Sequence, residues 1–164
     1  MNKLKPLIER PYRPCVGLMV FNSLGDVFSG QRLDNPNNAW QLPQGGINAG
    51  ESPITAAFRE LEEETSIKSV TYVAEYPEWL NYEVPLNLAN SLWDGQYRGQ
   101  TQKWLLLYFN GLDDEINIDT LNPEFKNWLW MNPAELSSKA IYFKKEVYNK
   151  INEIFLPIIK EFIN

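Results

Sequence analysis

Residues 45–67 restrict the possible folds of this chain more than any other stretch. The stretch opens with the glycine pair Gly45-Gly46, and Ser52-Pro53 follows a few residues later. Serine caps the free backbone amides of a helix and proline is tolerated in its first turn, so a helix is predicted to start here. Apolar side chains then recur at helical spacing and predict one buried face: Ile54, Ala57, Phe58 and Leu61.

Three carboxylates lie on the face of the predicted helix next to this apolar one. At helical spacing, Glu60, Glu63 and Glu64 fall within an arc of about 100°. Like charges three and four residues apart repel by a few tenths of a kcal/mol per pair, and divalent cations bound between them would relieve that repulsion. From the helix alone, two interpretations stand: a metal site and a solvated acidic surface.

The composition excludes several kinds of active site. The chain has no histidine and a single cysteine, Cys15. A Ser-His-Asp triad, a histidine-based zinc site and an intrachain disulfide are therefore impossible. Cys15 lies in an apolar run and is expected to be a small buried side chain. A bound metal must take oxygen ligands, which favours Mg²⁺ or Mn²⁺.

The net charge of −6 argues against a general attraction to nucleic acid, and we expect no binding to duplex DNA. An anionic substrate needs local cations that reverse this field. The first residues lack the apolar stretch of a signal peptide. No apolar run reaches the roughly 18 residues that a membrane span needs, so we expect no membrane association and a cytoplasmic location.

The rest of the chain predicts a mixture of strands and a few helices. Apolar or alternating runs predict strands near residues 15–22, 27–32, 40–46, 70–75, 79–84, 101–110 and 128–131. Residues 87–99 show little pattern and are predicted to form a loop. A small helix is expected from Pro133, and a long amphipathic helix over residues 143–162, kinked at Pro157. This pattern predicts one α/β or α+β domain spanning residues 1–164.

The whole pattern from Gly45 to Ile67 reads G-x5-E-x7-R-E-L-x-E-E-x-S-I. It resembles the Nudix box, G-x5-E-x7-R-E-U-x-E-E-x-G-U, in which U is a bulky aliphatic residue. One position departs, because Ser66 stands where the family has glycine. Glycine there commonly ends the helix in a left-handed conformation, so serine should cost up to about 1 kcal/mol if that geometry is kept.

The resemblance implies a Nudix fold, with a mixed β-sheet between helices and the box as loop-helix-loop. It implies an Mg²⁺ (or Mn²⁺) site with Glu60, Glu63, Glu64, Glu124 and the backbone of Gly45 as ligands. Arg59 would pair with Glu51 and orient the ligands. Glu64 and Glu124 are the candidates for accepting a proton from the attacking water, with Glu63 as a further catalytic carboxylate.

Further segments resemble the branch of bacterial RNA pyrophosphohydrolases and dinucleoside polyphosphate hydrolases: Tyr12-Arg13-Pro14, residues 40–46 (WQLPQGG), residues 97–104 (YRGQTQKW), Pro123-Glu124-Phe125 and Phe143-Lys144. By this resemblance, phosphate or base contacts are expected from Arg13, Arg32 and Lys144. Gln44 is expected to hydrogen-bond near a metal or phosphate. For Tyr82 and Phe143, stacking on a base and packing in the core or at its rim remain open alternatives.

The implied substrate is a nucleotide, either a 5′-triphosphorylated RNA end or a dinucleoside polyphosphate, and the residues do not rank the two. Two other interpretations compete with the enzyme. One is a Nudix-fold module without activity that binds nucleotides or a protein, although such modules usually lose box carboxylates. The other is an acidic helix without a metal. A monomer is the favoured oligomeric state.

Overall fold

The computed structural model of the protein describes residues 3–35 and 37–164. The strands are β1 (Tyr12–Phe21), β2 (Val27–Arg32), β3 (Trp40–Gln41), β4 (Gln44–Gly46), β5 (Val70–Glu75), β6 (Leu80–Glu83), β7 (Gly99–Phe109) and β8 (Phe125–Met131). The helices are α1 (Pro53–Thr65), α2 (Leu86–Ser91), α3 (Leu136–Lys139) and α4 (Lys145–Ile163).

The eight strands form one mixed sheet with the main order β3-β2-β1-β7-β5. The long central strands β1 and β7 run parallel, in a register from Tyr12 opposite Gly99 to Phe21 opposite Tyr108. Three further strands pair beside this path, β4 with β1, β6 with β7 and β8 with β2, all antiparallel. The N-terminal end of β1 therefore lies beside the glycine-rich strand β4, where the functional residues gather.

The two faces of β1 pack against different helices, because successive side chains of a strand point to opposite faces. Val16, Leu18 and Val20 are fully buried in the cluster that contains Leu61 of α1. Met19 and Phe21 belong to the cluster on the other face, which α4 covers with residues such as Tyr148, Ile151 and Phe155. The predicted sheet between helices is thus confirmed.

Helix α1 begins and ends as its sequence predicts. The Ser52 side chain accepts a hydrogen bond from the backbone amide of Thr55, and Pro53 occupies the first turn. The predicted apolar face is partly wrong, since Ile54 and Phe58 are exposed. The buried face is rotated around the helix and includes Ala56, Ala57, Leu61, Glu64 and Thr65. The sheet lies closer to the acidic face than the apolar spacing suggested, and Glu64 is buried in consequence.

Ser66 ends α1 in the left-handed conformation, with φ 67° and ψ 6°. Its hydroxyl donates a hydrogen bond of 2.9 Å to the backbone oxygen of Asn117. We expect Ser66→Ala to lower the free energy of unfolding by about 1 kcal/mol, because it loses this bond and keeps the backbone strain. Ser66→Gly should stay within about 0.5 kcal/mol of the parent, since relief of strain offsets the lost bond.

Urea unfolding of the two variants side by side measures this difference. Equal losses for Ser66→Ala and Ser66→Gly would show that the left-handed backbone is not strained here.

Two sequence predictions outside α1 were wrong in detail. The predicted loop over residues 87–99 contains helix α2, which follows Pro85 and buries Ala89. Residues 86–91 lack a helical pattern of apolar residues, so packing against the rest of the chain stabilises this helix. The C-terminal helix starts at Lys145, because Tyr142–Lys144 form a separate 3-10 turn, and it continues through Pro157 to Ile163.

Candidate active site

The glycine pair of β4 lets side chains approach the backbone from both sides. Gly45 lies opposite Val16 and Gly46 opposite Cys15 of β1. A Cβ atom on Gly45 would collide with the Glu60 carboxylate, and one on Gly46 would collide with the Arg13 guanidinium. The Cβ atoms of successive strand residues point to opposite faces. Strand β4 therefore separates a group of several carboxylates from a group of cationic side chains, which we call the cationic group.

The group of carboxylates lines a cleft of about 1090 Å³ that is open to solvent. Helix α1 contributes Glu60, Glu63 and Glu64, and Glu124 comes from the residue directly before β8. Pairing of β8 with β2 brings Glu124 to the cleft, where its backbone oxygen accepts a hydrogen bond from the Leu33 amide. The structure therefore places the four carboxylates that the sequence singled out around one cleft.

Glu64 is the unusual member of this group. Its side chain is only 7% exposed, and its Oε2 atom is buried without a hydrogen-bond partner. Burial raises the pKa of Glu64 well above its ordinary value, and the neighbouring charges of Glu60 and Glu124 raise it further. A buried carboxylate that faces like charges is costly unless a cation or a proton compensates it.

Arg59 ties α1 to the loop before it. Its Nε and Nη2 atoms donate to the two oxygens of Glu51 at 2.8 and 2.9 Å, and Nη2 also donates to the Gly46 carbonyl at 2.8 Å. The predicted pair of Arg59 and Glu51 is thus present, and it lowers the pKa of Glu51 to about 2. Nη1 of Arg59 reaches Glu60 at 2.9 Å and Glu63 at 3.2 Å, so one guanidinium orients the loop and two carboxylates.

The cationic group lies on the other face of β4 and includes Arg13 and Lys144. The Lys144 side chain is buried, and its Nζ donates to Gln41 Oε1 at 2.8 Å. Burial, together with the charge of Arg32, lowers the pKa of Lys144 to about 7. The sequence did not predict that a lysine expected to meet phosphate would be buried.

Arg32 is not a free cation. Its Nε and Nη2 atoms donate to both oxygens of Asp34 at 2.7 and 2.9 Å, and Nη2 lies 3.7 Å from Glu124. It therefore stands between the cationic residues and the carboxylates. A substrate phosphate at Arg32 would compete with Asp34 for the guanidinium, and the sequence did not predict this pairing.

Comparisons with known proteins agree with this geometry. A sequence model of the NUDIX domain matches residues 11–151. The chain is 50% identical over 147 residues to an RNA pyrophosphohydrolase of Roseobacter denitrificans, covering 88% of this chain and 92% of that protein. The chain belongs to the Nudix hydrolase family. The RNA pyrophosphohydrolase of Rickettsia bellii is 45% identical over 161 residues, covering 98% of this chain and all of the relative.

A solved structure of a C. elegans Ap4A hydrolase has the same fold. Its TM-score is 0.61 at 21% sequence identity, and the match covers 87% of this chain and 98% of that one. The Nudix fold implied by the sequence is thus confirmed, and α1 is the helix of the Nudix box. Nudix hydrolases generally use divalent metal ions.

The four carboxylates of the cleft have the chemistry to bind such an ion. All the available donors are oxygens, and the buried Glu64 oxygen lacks a partner. Among residues 3–35 and 37–164, no three acidic side chains converge closely enough to hold an ion in the arrangement described. Arg59 contacts both Glu60 and Glu63 in this arrangement, which satisfies part of their charge.

A network of glutamines on the face of the sheet that α4 covers was missed by sequence reasoning. Gln102 Nε2 donates to Gln44 Oε1 and Gln100 Oε1, both at 3.0 Å, and the Tyr82 hydroxyl donates to Gln100 Oε1 at 2.9 Å. The available signal was the pair Gln100 and Gln102, two polar residues two positions apart on one face of an otherwise apolar strand. The network gives Gln44 a structural partner as well as a place beside Gly45.

The stacking role considered for Tyr82 does not suit the ring as it lies here. Tyr82 is buried, its ring stacks on Phe143 at 5.8 Å, and Lys144 Nζ lies 5.8 Å from its centre. The packing alternative therefore describes Tyr82. Phe143 is half-buried and has one ring face against Tyr82. Cys15 is fully buried and its pKa is raised to about 11, which makes it a thiol at neutral pH.

Proposed function

We propose that this protein is a magnesium-dependent Nudix pyrophosphohydrolase that removes pyrophosphate from the 5′ end of triphosphorylated RNA. Dinucleoside polyphosphates such as diadenosine tetraphosphate are proposed as a second substrate class. The observation that carries the proposal is the buried Glu64 carboxylate, whose Oε2 atom has no hydrogen-bond partner and which lies in one cleft with Glu60, Glu63 and Glu124. The relatives at 45–50% identity are RNA pyrophosphohydrolases, which supports the choice of RNA.

We assign Glu60, Glu63, Glu64, Glu124 and the backbone oxygen of Gly45 as the residues that hold Mg²⁺, with Mn²⁺ as a substitute. When bound, the ion neutralises charge on the phosphate oxygens and polarises the attacking water. Arg59 keeps Glu60 and Glu63 in place, through the contacts at 2.9 and 3.2 Å.

A carboxylate of the cleft takes the proton from the attacking water. Glu64 suits this role because burial favours its protonated form, which makes the carboxylate a stronger base than an exposed glutamate. Glu124 is the second candidate, because it lines the same cleft from its position directly before β8. The reaction breaks one phosphoanhydride bond, and water supplies the hydroxyl group to the phosphorus and the proton to the base.

The cationic group is proposed to bind the rest of the polyphosphate. Arg13 and Lys144 lie on the other side of β4 from the carboxylates, and Arg32 stands between the two groups. Phe143 is proposed to contact a base from its half-buried ring, while Tyr82 supports that ring. Gln44 is proposed to contact a phosphate or the metal from its place next to Gly45.

The remaining expectations are also proposals. We propose one Nudix domain over residues 1–164, a monomer, a cytoplasmic location and no binding to duplex DNA, which the net charge of −6 disfavours. Within the part of the chain that the structure describes, no helix is both long and apolar enough to cross a membrane. A Nudix-fold binding module without activity is disfavoured because the box retains its carboxylates.

The test is to incubate the purified protein with Mg²⁺ and either 5′-triphosphorylated RNA or diadenosine tetraphosphate, and to compare kcat/KM for the two. A higher kcat/KM for release of pyrophosphate from the RNA than for cleavage of the dinucleotide supports the proposal. Faster cleavage of the dinucleotide would assign it as the main substrate instead. Hydrolysis of neither would reject the activity and favour the binding module.

The glycine pair allows a paired prediction. We expect Gly45→Ala to lower kcat by about 10-fold or more, because its methyl group displaces the Glu60 carboxylate. We expect Gly46→Ala mainly to raise KM, because its methyl group displaces Arg13. In both variants the displaced atoms are ends of flexible side chains, so circular dichroism should show a retained fold. Identical kinetic changes in the two variants would contradict the separation of the carboxylate and cationic groups by β4.

A further inference from the structure

The turn after α2 has an unusual backbone. Three consecutive residues, Trp93, Asp94 and Gly95, have positive φ values of 49°, 57° and 71°. Glycine and aspartate tolerate this region, but a tryptophan there is uncommon and costs free energy. Such conformations persist only where contacts of the side chain or its surroundings hold them. The contacts of the Trp93 side chain are therefore informative.

Trp93 contacts Arg13. The guanidinium carbon of Arg13 lies 5.6 Å from the centre of the Trp93 ring, within the range of a cation-π interaction. The ring is held in turn by Tyr97, which meets it edge-on at 6.1 Å and 80°, and by the core cluster on the α4 side of the sheet. The turn thus places a supported aromatic ring against an arginine of the cationic group.

The other contacts of Arg13 leave its charge available to a ligand. Its Nη1 donates to Cys15 Sγ at 3.2 Å, which is a weak acceptor, and its Nη2 lies against Gly46. Across the described residues, no carboxylate forms an ion pair with Arg13, whereas Arg32 and Arg59 are both paired. A ring face holds a guanidinium without consuming its hydrogen-bond donors, which a carboxylate would do.

We propose that Trp93 is a positioning residue for Arg13, which holds the guanidinium over Gly46 so that its donors meet the polyphosphate of the substrate. This inference rests on the proposed function for the identity of the ligand. It assigns a role to the strained turn that the Nudix box and the carboxylates do not explain. Trp93 acts through Arg13 and does not itself touch the reacting atoms.

The test measures the affinity of inorganic tripolyphosphate for the protein in Mg²⁺ by calorimetry, and KM and kcat on triphosphorylated RNA. Trp93→Leu is expected to weaken tripolyphosphate binding and raise KM by roughly 3- to 10-fold, with kcat within about twofold. Trp93→Phe keeps a ring and should restore most of the affinity. Trp79→Leu, which removes another half-exposed tryptophan, should leave both readouts unchanged.

A double-mutant cycle separates positioning from a structural role. In an Arg13→Gln background, Trp93→Leu should cause no further loss of affinity, because the guanidinium that it positions is gone. An equal loss in both backgrounds, or an unchanged affinity in Trp93→Leu, would overturn the inference. If Trp93→Leu melts below the assay temperature, the cycle is run with Trp93→Phe. A loss of affinity of about twofold that disappears in the Arg13→Gln background then supports the inference, and an equal loss in both backgrounds overturns it.

The binding arm also separates this inference from the proposed function. A parent protein that binds tripolyphosphate in a Trp93-dependent way but hydrolyses neither RNA nor dinucleotide would reject the enzyme and support the positioning role. A parent protein that hydrolyses RNA, with a Trp93→Leu variant that binds tripolyphosphate normally, would support the enzyme and reject the positioning role.

Discussion

Glu64→Gln is expected to lower kcat by at least about 10²-fold without loss of the fold. The amide keeps the shape of the side chain but cannot accept the proton of the attacking water, and it is a much poorer ligand for a divalent cation. Glu63→Gln should lower kcat by a similar factor if Glu63 is a ligand. Steady-state hydrolysis of triphosphorylated RNA in saturating Mg²⁺ measures both.

The stability of the same variant provides a second readout. The pKa of Glu64 is raised in the folded protein, so folding is favoured when the group is protonated, and this contribution is lost as the pH rises through the folded pKa. Without metal, Glu64→Gln should therefore be more stable than the parent at alkaline pH. The difference should shrink as the pH falls towards the ordinary value of 4.5.

Glu62→Gln is the matched control for Glu64→Gln. Glu62 lies on the same helix and lines the same cleft, but it is exposed and pairs with Lys68 at 3.4 Å. It should change kcat by less than about twofold. Near-normal turnover in both Glu63→Gln and Glu64→Gln would show that the wrong carboxylates are assigned to the reaction.

Lys144→Met is expected to stabilise the protein and to weaken substrate binding. The buried lysine has one hydrogen-bond acceptor, Gln41, and its pKa falls from 10.5 to about 7 on folding. The unfolded chain keeps the proton up to about pH 10.5, so the folded state is penalised fully below pH 7 and progressively less above it. Methionine removes the penalty and fills a similar volume.

Unfolding in urea at several pH values measures this effect. We expect Lys144→Met to raise the free energy of unfolding by about 2 kcal/mol at neutral or lower pH, after allowance for the partner that Gln41 loses. The gain should disappear towards pH 10.5. KM should rise on the order of tenfold, since a charge-assisted contact to phosphate is lost.

Lys145→Met is the control, because this neighbouring lysine is exposed. It should alter neither stability nor KM appreciably. A Lys144→Met protein that is less stable than its parent at pH 6 would show that the lysine is charged and well compensated in the folded state. In that case its burial would be no obstacle to a standing positive charge.

The sequence predicted most of the carboxylate half of the site. Glu60, Glu63 and Glu64 share one helix, so their relative positions follow from helical periodicity alone. The Arg59–Glu51 pair and the Ser52 cap join residues that are eight and three positions apart, and both are present. Ser66 keeps the left-handed end that its place in the pattern predicted. The burial of Glu64 was not predicted, because apolar spacing indicated the wrong side of α1.

The cationic half of the site was predicted less well. The sequence singled out Arg13, Arg32 and Lys144 but treated all three as cations open to a ligand. Arg32 is paired with Asp34 and Lys144 is buried against Gln41. The glutamine network and the turn at Trp93 carried no sequence signal strong enough to assign a role. Helix α2 was missed because its burial depends on contacts from elsewhere in the chain.

The sequence by itself determined the chemistry available to this protein: oxygen ligands on one helical turn, a glycine pair before them, and no histidine or second cysteine. Local backbone geometry positions residues three and four apart, so these features need no knowledge of the fold. Only the tertiary structure decided which distant residues join them and with what charge. Glu124 reaches the cleft through strand pairing, and burial sets the pKa of Glu64 and Lys144, because both depend on what the whole chain packs around them.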